Sequence, residues 1–261
     1  MAVLIGTSGW QYPHWRRSFY PAQVAQAHWL EHYAARFRTV EVNNAFYRLP
    51  EKSTFESWRT RTPDDFVVTV KASRYLTHIK RLREPAEPVK RLMERARGLG
   101  PKLGPVLLQL PPNLRVDLDA LEEALVQFPR DVRVAVEPRH ESWFEPATRK
   151  LLESRGAAFC LTDRLGGRPP FWRTADWGYL RMHEGRATPS PCYGRSALRT
   201  WAKRLAQLWP ARATLYVYFN NDERACALRD ARLFALAVKS AGLHPTRVPE
   251  PSDISVGDAG S

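Results

Sequence analysis

The sequence predicts an α/β fold, a single (β/α)8 barrel of the TIM type, on three observations. Short apolar runs recur along the whole chain. Amphipathic stretches with apolar spacing of three and four separate them, and nearly every apolar run ends on a polar side chain. Regular alternation of strand and helix implies parallel strands joined by right-handed crossovers. Eight such units in about 250 residues is the arithmetic of a barrel.

The strands expected in order are VLIGT (3–7), TVEVN (39–43), FVVTVK (66–71), PVLLQL (105–110), RVAVE (133–137), AFCLTD (158–163), YLRMH (179–183) and TLYVYFN (214–220). Helical spacing marks AHWLEHYAARF, AEPVKRLMERARGL, DLDALEEALVQF, SALRTWAKRLAQLW and ERACALRDARLFALAV between them. The sixth unit is the weakest, because GGRPPFWRTADWG reads as a loop. An open doubly wound sheet is the alternative, but it calls for a glycine-rich phosphate loop after its first strand, and GTSGWQY is a poor one. The barrel domain is expected to span residues 1–244. The stretch 245–261, PTRVPEPSDISVGDAGS, reads as a disordered tail.

In a barrel, residues of each strand alternate between the interior and the surrounding helices. If Leu180 and Met182 face helices, Tyr179, Arg181 and His183 point inward; by the same parity Tyr216, Tyr218 and Asn220 point inward from the eighth strand. The rule adds Glu41 and Asn43, Lys71, Gln109, Glu137 and Asp163. These residues form a polar ring at the strands' C-terminal ends, where barrel enzymes keep their active sites. So many buried polar groups are costly unless they pair with each other or with a ligand.

Of the 261 residues, 44% are hydrophobic and 26% charged, as in an ordinary globular protein. No apolar run is long enough for a membrane span, and the start MAVLIGTSGW lacks the basic region of a signal peptide. Cys160, Cys192 and Cys226, three cysteines without CxxC spacing, suit a reducing cytosol; they argue against a disulfide framework or a structural zinc site. A cytoplasmic location is therefore expected, with no membrane partner. The net charge is +13, and residues 1–104 carry 18 basic against 9 acidic side chains. That imbalance favours an anionic small molecule or nucleic acid as partner.

The blocks GTSGWQYPHW, TVEVNNAFYRLP, FVVTVKAS, LLQLPP, VEPRHESW, YLRMH and YVYFNND follow one another over residues 3 to about 240. In that order they resemble the YecE-like proteins (domain of unknown function 72). The resemblance implies a TIM-type barrel and no established reaction. The barrel's fold likeness to apurinic endonucleases and sugar isomerases implies nucleic-acid or phosphodiester chemistry only by analogy. The chain departs from the family pattern at His183-Glu184-Gly185, where relatives read His-Gly.

Three chemistries compete. In a hydrolase acting on a phosphorylated or nucleotide-like substrate, Glu137, His183, Asp163 and Glu41 are the catalytic candidates. Lys71, Arg139 and Arg181 then clamp the anion, and His78, His140, Gln109, Asn43, Tyr218, Asn220 and Asn221 bind around it. Non-catalytic nucleic-acid binding would use the basic half and aromatic faces, with Trp10 and Tyr47 beside strand ends as stacking candidates. A divalent metal on Glu41, Glu137, Asp163 and His183, as a sugar isomerase requires, suits the ligand types. It is disfavoured by three inward cations and the lack of HxH or HExxH spacing. The segment 71–84, KASRYLTHIKRLRE, offers a basic phosphate clamp after the third strand.

Overall fold

The computed structural model of the chain describes residues 1–163 and 169–254. Its elements are strands β1 (Ala2–Thr7), β2 (Thr39–Val42), β3 (Val67–Lys71), β4 (Leu103–Gln109), β5 (Val134–Glu137), β6 (Ala158–Thr162), β7 (Gly178–Met182), β8 (Thr214–Phe219) and a short β9 (His244–Pro245). The α-helices are α1 (Trp29–Arg36), α2 (Asn44–Tyr47), α3 (Lys52–Thr60), α4 (Ala86–Ala96), α5 (Leu118–Val126), α6 (Pro146–Ser154), α7 (Arg195–Leu208) and α8 (Cys226–Ser240). All eight expected strands are present. Between β6 and β7 the described residues, 169–177, form no helix, as the loop-like composition implied.

By internal contacts the chain forms two compact units. The first holds Met1–Glu41, Arg61–Phe66 and the chain from Leu180 on; the second holds Val42–Thr60 and Val67–Tyr179.

In the first unit β1 pairs with β8 in parallel, Thr7 opposite Phe219, and β9 adds to the other edge of β1. Strand β2 approaches β1 without a ladder. A Cβ added to Gly6 would stand 2.3 Å from the Thr39 carbonyl oxygen, so only glycine permits this contact. The buried Tyr33 hydroxyl bridges the two strands, accepting the Thr7 N–H at 3.0 Å and donating to the Thr39 carbonyl at 3.1 Å. Burial pushes that phenol's pKa upward, so it stays a neutral donor. Helix α8 buries Ala227, Leu228, Ala231, Phe234 and Val238, one apolar stripe at helical spacing.

Two expectations about this unit change. Cys192 and Cys226 form a disulfide, with Cα atoms 4.9 Å apart, while Cys160 is a buried free thiol. A sequence separation of 34 hides a contact made when the loop after β7 folds back onto the start of α8. The segment expected as a tail from 245 is anchored as far as Asp253. Arg247 ion-pairs with Asp65 and donates to the Ala34 carbonyl, and Asp253 receives the Arg36 guanidinium at 2.7 Å. Residues 255–261 lie outside the described residues.

In the second unit β3, β4, β5 and β6 pair in parallel, in that order. The register sets Gln109 beside Glu137, so two polar strand ends meet. Near-continuous burial of β4 and β5 fits strands covered on both faces. Helix α4 packs Val89, Leu92, Met93 and Ala96, while α5 starts where the Asp117 side chain accepts the Ala120 N–H at 3.0 Å.

Candidate functional site

Both units place charged side chains at the C-terminal ends of their strands. In the first unit Arg181, 1% exposed, lies beside Glu41, which is fully buried. Its Nη2 and Nε donate to Glu41 Oε1 at 2.8 and 3.2 Å, and the Ser8 hydroxyl donates to the same oxygen at 2.7 Å. Thr39 and Tyr218 share a hydroxyl–hydroxyl hydrogen bond of 2.7 Å. Arg181 thus meets Glu41, and Thr39 meets Tyr218, across strands. In the same unit Asn220 Nδ2 lies at hydrogen-bond distance, 3.2 Å, from His183 Nδ1.

This unit also holds Tyr12, from the aromatic run after β1, and the His14–Asp222 pair, which the sequence does not single out. Tyr12 donates its hydroxyl to the Ser8 carbonyl. Its phenol pKa is pushed up by burial and then by Asp222 and Glu41. His14 Nε2 lies 3.4 Å from Asp222 Oδ2, and burial raises the Asp222 carboxyl. Extending the parity rule to β1 would have found Ser8. Nothing local could have paired His14 with a residue 208 positions away.

Asn221, expected to bind substrate, has its Nδ2 directed at the Pro191 carbonyl (3.0 Å) and Asp230 Oδ2 (2.8 Å). Asp230, fully buried, also receives the Tyr193 N–H at 2.8 Å and the Arg229 guanidinium at 3.0 Å. Burial pushes its carboxyl up to about 6. With the disulfide, these bonds tie the 184–194 loop to α8. A Cβ on Gly185 would stand 2.0 Å from the Cys192 carbonyl oxygen, so only glycine lets the loop pack this tightly.

In the second unit Glu137 ends β5 fully buried. Gln109 Nε2 donates to Glu137 Oε2 at 2.9 Å, and Arg139 approaches Oε1 with Nε and Nη2, both at 3.4 Å. Lys71 ends β3 and is 8% exposed, its Nζ 4.1 Å from the Phe46 ring centroid. Phe46 also meets the His78 ring edge-on at 4.9 Å. His78 sits in one turn of π-helix, Tyr75–Ile79, its Nδ1 2.9 Å from the Thr77 hydroxyl. Such turns recur at functional sites. Burial, then the charges of Lys71, Arg139 and Arg74, depress the His78 pKa below its ordinary value.

The basic segment after β3 is therefore built, not loose. Arg81, Leu82 and Glu84 hold left-handed backbone (φ 54°, 67° and 48°). Non-glycine residues keep that conformation where their surroundings over-determine it. Here the Leu82 side chain is fully buried and Arg81 donates to the Asn113 carbonyl at 2.7 Å.

His140 Nδ1 accepts the Ser142 N–H at 3.1 Å, and the Ser142 hydroxyl accepts the Val116 N–H at 2.8 Å, so this imidazole caps the turn after β5. Trp10 is buried, whereas Tyr47 is 75% exposed. Asn43 lies at the start of α2, half-buried, and Asp163 directly follows β6, also half-buried. Among the described residues, no three His, Cys, Asp or Glu side chains gather as a metal site would require. No described helix is long and apolar enough to cross a membrane.

Residues 4–253 match the family model described as protein of unknown function DUF72. The chain belongs to the DUF72 family. It is 31% identical over 248 residues to the UPF0759 protein YecE of Escherichia coli K12, covering 86% of this chain and 88% of YecE. A crystal structure of a DUF72 family protein from Thermotoga maritima superposes with a TM-score of 0.78 at 27% identity, over 92% of this chain and all of the other. A xylose isomerase-like TIM barrel/4-hydroxyphenylpyruvate dioxygenase fusion protein matches with a TM-score of 0.53 at 14% identity. That match covers 96% of this chain and 45% of the other, and bears on the fold alone. The fold class is α/β, of the (β/α)8 TIM type, and the family is the one its sequence blocks resemble.

Proposed function

We propose that the second unit carries an anion site at the ends of β3, β4 and β5, and that the protein is a hydrolase of phosphorylated or nucleotide-like compounds. The observation that carries the reading is Lys71: a nearly buried cation at a strand end, 4.1 Å from an aromatic face, beside His78. Arg74 and Arg139 press the same imidazole, so positive potential is concentrated there. A phosphoryl group would meet cations already in place, which is how such sites stabilise charge in the transition state.

Glu137 is the general base in this reading. Gln109 and Arg139 hold its two oxygens from different sides, fixing the carboxylate to take a proton from water. Burial and the neighbouring cations disfavour a proton on His78. A bound dianion offsets the neighbouring cations and raises its proton affinity, so it can protonate the departing ester oxygen.

The test is turnover of p-nitrophenyl phosphate and its bis ester by wild type and Glu137→Gln. Loss of a general base should lower kcat by about 100-fold or more. Equal rates in the two proteins would remove Glu137 from the mechanism, and no turnover of any phosphate ester by wild type would remove the hydrolase reading.

A further inference from the structure

We infer that Tyr47 is a nucleobase platform, so that the ligand of the anion site is a nucleoside monophosphate unit rather than a sugar phosphate; this rests on the anion reading above. Phe46 is the hub of the geometry. Around its ring stand Lys71 Nζ at 4.1 Å, the His78 ring at 4.9 Å and the Tyr47 ring at 5.1 Å. Tyr47 is thus two ring contacts from the imidazole and one aromatic ring away from the buried cation. That is the reach of a nucleotide, with its phosphate on the cations, its ribose across Phe46 and its base beyond.

The tyrosine has the properties of a platform. It is the most exposed large hydrophobic side chain among the described residues, at 75%, and Phe46 supports it edge-on with planes at 89°. Its backbone is fixed: the Arg48 N–H closes α2 on the Asn44 carbonyl at 3.0 Å, and Arg95 donates to the Leu49 carbonyl at 3.0 Å. A rigid aromatic loses little freedom when a base stacks on it. The ring borders an open groove of about 490 Å³ whose lining includes Asn44, Arg48, Glu51 and Thr54, donors and acceptors for the edge of a base. A sugar phosphate would satisfy the cations and leave this aromatic bare.

The experiment is calorimetric titration of the full chain with adenosine 5′-monophosphate and with ribose 5-phosphate, which differ only in the base. Wild type should bind the nucleotide about tenfold more tightly, a modest stacking gain. In Tyr47→Ala the ratio of the two affinities should fall towards one, and Tyr47→Phe should keep it. Because Tyr47 is exposed, the alanine variant should fold, which its circular dichroism checks. A trinucleotide arm tells whether the unit is free or part of a strand: tighter binding that weakens steeply with salt marks a strand, and binding no tighter than the mononucleotide marks a free nucleotide. Equal wild-type affinities for nucleotide and ribose phosphate would overturn the platform and leave the anion site standing. If neither ligand binds, the anion site fails and the platform falls with it.

Discussion

Replacing Arg181 by methionine tests whether the buried charge of the first unit is a structural lock. Arg181 and Glu41 are 1% and 0% exposed, and the guanidinium makes two of the three hydrogen bonds described on Glu41 Oε1. The variant removes both and leaves a buried carboxylate facing Ser8. Breaking a buried pair from one side costs about 3–5 kcal/mol, because the remaining charge has lost its compensation. For a domain whose whole stability is of order 5–15 kcal/mol, that is about a fifth or more. Replacing both partners, Glu41→Leu with Arg181→Met, removes the stranded charge and should recover a large part of the loss. Urea unfolding followed by tryptophan fluorescence measures all four members of the cycle. A coupling energy of at least about 2 kcal/mol is expected. If Arg181→Met costs under about 1 kcal/mol, or the two substitutions add, the pair is not the lock that its burial and geometry indicate.

Two further outcomes concern protons. The His78 pKa is held below 6.5 when folded, so the unfolded chain takes up its proton first and stability should fall as pH drops below 6.5. Urea midpoints at pH 7.5 and 5.5 should differ less in His78→Gln than in wild type, and an equal difference would contradict the cation cluster. Asp230 should titrate near 6 in carbon-detected carboxyl NMR. Its folded pKa is raised, so its contribution to stability is full below 3.8 and lost as pH rises through about 6. A midpoint near 4 would mean the carboxyl is better solvated than its burial implies.

Strand-level structure was legible in the sequence because buried parallel strands write themselves as short apolar runs. Strand parity then pointed to Glu41, Arg181, Gln109 and Glu137, since an alternating backbone leaves each side chain only two directions. Local pattern says nothing of partners distant in the chain. The Cys192–Cys226 disulfide, the His14–Asp222 pair and the docking of Arg247 on Asp65 all join segments whose separation carries no periodic signal. Composition misled at 245–254, where proline and charge read as a tail although Arg247 and Asp253 each have a fixed partner. His140 shows the converse limit: its position suggested a ligand, and its ring caps a turn.

The proposed chemistry depends above all on Lys71 as part of an anion site. Thermal unfolding of wild type and Lys71→Met, each with and without a phosphate monoester, tests this directly, since a ligand stabilises only the state that binds it. The ester should raise the wild-type Tm and have much less effect on Lys71→Met. The variant alone should melt at or above the wild-type temperature, because removing one of several clustered cations relieves repulsion. An unfolded Lys71→Met together with a wild type that the ester leaves unmoved would contradict it, and Lys71 would then be a structural cation.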